Sequence, residues 1–129
     1  MRLLLDTHIF LWATSKPERL PPGVRRPIED PKNEIFVSSV VSWEIALKHA
    51  RGKLSLPMSP GAYVPSRIKM MGFTELPITI AHTLAVSDLP PHHLDPFDRL
   101  LIAQAQVEGL TLAKIDTQIK KYRVTTLHA

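Results

Sequence analysis

Arg2-Leu3-Leu4-Leu5-Asp6-Thr7-His8 is the stretch on which the fold turns. Its apolar run is short and carries leucine at every position, so both sides of the chain are apolar. A strand buried on both faces has this look, because successive side chains of a strand point to opposite faces. Asp6 then stands at the strand's carboxyl tip and Thr7 is expected to cap a helix carrying Ile9, Phe10, Leu11 and Trp12.

The alternation repeats outward from there. Glu34-Ile35-Phe36-Val37-Ser38 reads as a second strand, and residues 39–51 as a helix with a broad apolar face, stopped by Gly52. Between the two strands a helix from about Pro22 to Asp30 carries Pro27 inside it. A loop over 57–60 leads to a helix ending near Met71, a third strand over 73–78, and a short helix opened by Thr79 that ends before Leu89-Pro90-Pro91. Pro96 suits the first turn of a helix running to Glu108 and closed by Gly109. Residues 110–115 read as the fourth strand, ending at Asp116; a short helix and a strand over 123–126 follow. The expected fold is α/β: one domain over 1–129, with a central, mostly parallel sheet of four to five strands and helices on both faces.

Composition narrows the class. A length of 129 residues suits one domain, and 44% apolar residues exclude wholesale disorder. The apolar runs fall far short of the ~20 residues that span a bilayer. Asp6 and His8 break the first run, so no secretory leader is expected. Without cysteine there is no disulfide framework, thiolate metal site or cysteine nucleophile, and the expected address is cytoplasmic. Twelve prolines, against a usual share of ~5%, predict short, stiff loops. A net charge of +4 leans toward polyanionic partners.

The acids carry the chemistry. Asp6 ends the first strand and Asp116 the fourth; Glu44 lies in the first half of the helix over 39–51, and Asp98 two residues after Pro96. In an open parallel sheet, strand carboxyl ends and helix amino ends meet at one edge, where ligands bind. Four carboxylates converging there would repel one another, and a hard divalent cation resolves the conflict. Oxygen donors without cysteine suit Mg²⁺ or Mn²⁺, an ion able to activate water and stabilise charge on a phosphoryl oxygen. An acidic pocket in a basic protein makes sense when the substrate is itself a polyanion. Taken singly, each acid is equally an ordinary cap or dipole partner. Glu44 resists that explanation, because a charge on so apolar a helix is rarely buried without a partner.

Five segments carry a family resemblance: Leu-Leu-Leu-Asp-Thr-His (3–8), Val-Ser-Ser-Val-Val-Ser-Trp-Glu-Ile-Ala-Leu-Lys (37–48), Gly-Lys-Leu (52–54), His-Leu-Asp-Pro-Phe-Asp-Arg-Leu-Leu-Ile-Ala-Gln-Ala (93–105), and Gly-Leu-Thr-Leu (109–112) followed by Asp116. Together they resemble the PIN-domain ribonucleases, specifically the VapC-type toxins of toxin–antitoxin pairs. The likeness covers essentially the whole chain, and Asp-Pro-Phe-Asp-Arg is its most specific part.

The resemblance implies that Asp6, Glu44 and Asp98 are metal-binding acids and Asp116 a fourth. It further implies Mg²⁺- or Mn²⁺-dependent hydrolysis of RNA, a cognate antitoxin and a homodimer. Thr7 would position a carboxylate or a phosphate, and Asp95 would start the helix or stand behind the site. Ser38 would be a hydroxyl near the site or a helix cap, and His8 would face the site. Arg99, read from its place after Asp98, is expected to pair with an acid or touch RNA, a surface ion pair being the plainer reading. One position departs from the family. Two residues before the last aspartate it usually has Thr or Ser, and here stands Lys114. That lysine could pair with Asp116 or another site acid and compete with the metal, or point away and meet RNA phosphate. A PIN-fold RNA-binding module with a silenced metal site is therefore the alternative, alongside a housekeeping RNA-processing nuclease. Ile119 replaces a customary aromatic, a packing change.

The remaining features read more plainly. His92 and His93 sit in a Pro-rich loop, as solvated side chains. Arg25-Arg26, Lys48-Arg51-Lys53 and Lys120-Lys121-Arg123 are basic clusters; such runs are usually solvated, yet nucleic-acid contact alone would use the net charge. Trp12 and Trp43 are expected in the core or an interface, and the stretch from Tyr63 to Met71 in ordinary core packing. An aspartyl phosphatase fits poorly, since no second acid follows two positions after Asp6.

Overall fold

The computed structural model describes residues 1–91, 95–115 and 126–128. Strand β1 (Arg2–Leu5) leads into α1 (Thr7–Ser15), a 3₁₀ turn (Pro17–Arg19) and α2 (Pro22–Glu29). Then come β2 (Glu34–Ser38), α3 (Ser39–Ala50), α4 (Pro60–Met71) and β3 (Thr74–Leu76). After α5 (Ile80–Ala85) and a 3₁₀ turn (Val86–Asp88), α6 (Pro96–Glu108) runs into β4 (Thr111–Lys114), and β5 (Thr126–His128) closes the sheet.

The strand order is β3-β2-β1-β4-β5, with every described pairing parallel. Leu3, Leu4 and Leu5 are wholly inaccessible. As neighbours on a strand they face opposite ways, so both faces of β1 are covered. The chain steps from β1 out to β2 and β3, then returns to lay β4 on the other side of β1. That reversal opens a crevice beyond the carboxyl ends of β1 and β4, the switch point where open α/β sheets bind ligands.

Several boundaries differ from the sequence expectation. Asp6, not Thr7, caps α1: its backbone is extended, and its Oδ1 accepts the Ile9 N–H at 2.7 Å. Strand β3 covers only 74–76, and β5 takes in 126–128, while 123–125 of the expected strand lie outside the described residues. The expected short helix after β4, Asp116, Ile119, His92, His93 and the cluster Lys120-Lys121-Arg123 lie outside the described residues. Helices α2 and α4 run through internal prolines, Pro27 and Pro65. Each follows a glycine by four residues, Gly23 and Gly61, whose carbonyl is the one a pyrrolidine ring crowds. Trp43 is 47% exposed rather than in the core, and packs edge-on against Phe97 with ring centroids 4.7 Å apart. Gly109, at φ 66°, ends α6 and turns the chain into β4, with Leu110 N–H bonded to the Ala105 carbonyl. Among the described residues no helix is long and apolar enough to cross a membrane.

Candidate active site

Four elements deliver charged side chains to the β1–β4 crevice. Asp6 follows β1 directly and is almost wholly buried. Its N–H bonds to the Ala113 carbonyl at 3.0 Å, which fixes its backbone in the ladder, while Oδ1 caps α1. Asp98 sits in the first turn of α6. Asp95 is that helix's N-cap and accepts the Asp98 N–H at 2.8 Å, and Pro96 supplies the preset first turn. Glu44 comes from α3 and is buried. Thr7 donates its hydroxyl to Glu44 Oε1 at 2.5 Å, and Lys48, one turn further along α3, binds the other oxygen.

Lys114 ends β4 and is only 7% exposed. Its Nζ lies 2.5 Å from Asp98 Oδ1 and 3.5 Å from Asp6 Oδ2. With His8, these acids and lysines line one hollow of about 380 Å³. Burial pushes the Asp6 carboxyl above its ordinary value, against the pull of Lys114 and the Ile9 N–H. Burial raises Asp98 as well; Lys114 opposes this, while the charges of Asp95 and Asp6 add to it.

The donor chemistry is that of a hard divalent cation. The arrangement is not: among the described residues no three acids group closely enough to hold a metal ion. The Lys114 ammonium stands at the Asp6 and Asp98 oxygens, and Glu44 is held by Thr7 and Lys48. Asp6 and Asp98 thus supply oxygens of the kind such an ion takes, and among the described residues the Lys114 ammonium contends for those same oxygens.

Other anticipated residues lie elsewhere. Ser38 caps α3 through the Val40 N–H and gives its hydroxyl to Gln104, away from the acid hollow. Gln104 in turn approaches His82 Nδ1 at 3.3 Å. The Thr79 N–H donates to that same nitrogen, so Nε2 carries the ring proton and donates to Glu108 at 2.9 Å. This interior polar chain was not anticipated, because a lone His and a lone Gln carry no spacing signal. Arg99 donates to the carbonyls of Pro90 and Val86, tying the start of α6 to the turn before it. His8 is exposed at the rim, edge-on to Trp12. The Lys48 partnership with Glu44 was also missed, although its i,i+4 spacing was visible in the sequence.

The PIN domain family profile matches residues 3–124. Ribonuclease VapC16 of Mycobacterium tuberculosis is 38% identical over 56 residues, 43% of this chain and 40% of that protein's length. Ribonuclease VapC22 of the same organism is 28% identical over 124 residues, 94% of this chain and 92% of the relative. Among solved structures, VapBC2 from Rickettsia felis bound to a DNA fragment from its promoter aligns with a TM-score of 0.76 at 17% identity, covering 100% of this chain and 99% of the other. At that identity the likeness speaks for the fold.

Proposed function

The chain belongs to the PIN-domain family, and on that premise we propose that it is an endoribonuclease of the VapC type, the toxin of a toxin–antitoxin pair. The observation that carries the proposal is the gathering of Asp6, Glu44 and Asp98, from three separate elements, around one hollow at the switch point. The full-length likeness to a VapC ribonuclease supports it.

In this role the chain's own residues set the geometry. Asp95 and Pro96 fix the turn that presents Asp98, and Thr7 and Lys48 hold Glu44. Dependence on Mg²⁺ or Mn²⁺ belongs to the proposal, since buried carboxylates repel a phosphodiester unless a cation offsets their charge. Asp116 is proposed as a further acid of the site. The antitoxin is proposed as a protein partner, a second copy of the chain as another, and the cytoplasm as the place of action.

The test is cleavage of total RNA from the native host by the purified chain, with Mg²⁺, Mn²⁺ or chelator, beside Asp6→Asn. Metal-dependent ends missing from the variant are expected. Identical patterns in the two proteins would sink the proposal. Growth arrest on expression, relieved by the antitoxin, separates a toxin from a housekeeping nuclease.

Lys114 favours a second reading, an RNA-binding module whose acid pair is already engaged by an ammonium. It predicts salt-sensitive RNA binding in chelator, with no cleavage under any ion.

A further inference from the structure

Beside the acid hollow lies a larger one of opposite charge, about 600 Å³, between α1 and the segment 53–57. Lys16, Arg19, Lys48 and Lys53 line it, and no carboxylate does among the described residues. The two hollows adjoin, sharing Thr7, His8, Trp12 and Lys48 as a common wall. Lys16 ends α1, Arg19 ends the 3₁₀ turn, and Lys53 follows α3, so three elements aim cations at one groove. These three are exposed, and none enters an ion pair among the described residues.

The remaining lining has a different character. Leu11, Leu54 and Leu56 are half-buried, and so is Trp12, which lines the groove beside His8. Cations flanking an aromatic on an apolar floor are what single-stranded nucleic acid uses, since each base offers a π-face and each phosphate a charge. A duplex stacks its base faces away and would leave Trp12 unused. The basic residues of α2 differ: Arg25 pairs with Glu29, in a hollow that also holds Glu18 and Asp30.

We propose that this groove holds single-stranded RNA, its phosphates along Lys16, Arg19 and Lys53 and a base against Trp12, and leads the strand past Lys48 to the acids. The proposal rests on the ribonuclease reading and adds the side chains that carry the strand and its route to the acids.

The experiment measures binding of a fluorescein-labelled, mixed-sequence 12-nucleotide RNA to the full chain by anisotropy in chelator, at several salt concentrations. Three proteins are compared: wild type, the groove triple Lys16→Glu/Arg19→Glu/Lys53→Glu, and the control triple Arg26→Glu/Lys32→Glu/Lys69→Glu, which changes net charge equally at exposed sites elsewhere. The groove triple is expected to bind at least tenfold more weakly. It should also lose about two units of the log–log salt slope, at roughly 0.7 per phosphate contact. The control should stay within threefold of wild type.

Equal losses in both triples would reduce the effect to net charge and overturn the assignment. So would a groove triple that binds RNA normally but no longer retains the antitoxin, which would make the groove a protein-binding surface. Cleavage of host RNA by wild type and groove triple alike, with unchanged binding, removes the route and leaves the nuclease standing. A wild type that neither binds nor cleaves RNA removes both.

Discussion

Lys114 concentrates the tension in this molecule into one side chain. A single ammonium faces two aspartates, Asp6 buried and Asp98 half-buried, so with both ionised the trio keeps a net negative charge in a place poor in water. Removing the lysine leaves two like charges facing each other, a loss in the range of ~3–5 kcal/mol for a broken buried pair. It also clears the place a divalent ion would take. Lys114→Thr is therefore expected to unfold at lower urea than wild type without metal, and to bind Mn²⁺ at least tenfold more tightly by calorimetry. Equal Mn²⁺ affinities would show that the ammonium does not compete.

The aspartates also set a pH dependence. Raised carboxyls keep protons in the native chain at pH values where the unfolded chain has lost them, so stability falls as pH climbs from about 3.8 through the raised values. Asp98→Asn deletes one such group. Its stability relative to wild type should rise with pH across that window, by at most about 1.4 kcal/mol per unit. Urea midpoints at pH 4, 5, 6 and 7 check the slope, and a flat difference would count against it.

Among the elements, α6 was the most legible, because its signals are local: Asp95 and Pro96 open it and Gly109 closes it. The start of α1 was less so, since Asp6 and Thr7 are both competent caps. The ladder bond from Asp6 N–H to Ala113 decides between them by keeping Asp6 extended, and that partner is far away in sequence. Ser38 shows the same limit. Its role behind the sheet depends on Gln104, 66 residues on. These two caps make opposite predictions. Asp95→Ala should cost about 1 kcal/mol of stability and lower RNA cleavage, because the same bond orients the turn carrying Asp98. Ser38→Ala should cost more, about 2 kcal/mol, since it loses a cap and strands a buried amide oxygen. Its cleavage per folded molecule should match wild type. Denaturant melts paired with cleavage rates separate the two, and a slow Ser38→Ala enzyme would put that hydroxyl back at the site.

At the scale of the whole molecule, a parallel sheet was legible from the alternation of strands and helices, and burial on both faces from three successive leucines. The placement of β4 beside β1 is not written in any local pattern, since it depends on which crossovers pack. Nor is the exposed apolar surface. Ile80 and Leu84, one turn apart on α5, are 77% and 67% exposed, and Val107 on the neighbouring α6 is 45% exposed. Isolated apolar residues at a surface need no explanation, but these three lie on two helices packed against each other, and grouped exposed apolar side chains mark a contact. A second copy of the chain meeting this face would bury it in a symmetric contact, the commonest way a soluble chain pairs with itself. Light scattering should then give wild type a mass near twice the 14.5 kDa of one chain, and Ile80→Glu/Leu84→Glu should return the single-chain mass with the circular dichroism of the fold intact. A double variant that stays paired would move the interface elsewhere, and a monomeric wild type would leave the patch to a different partner.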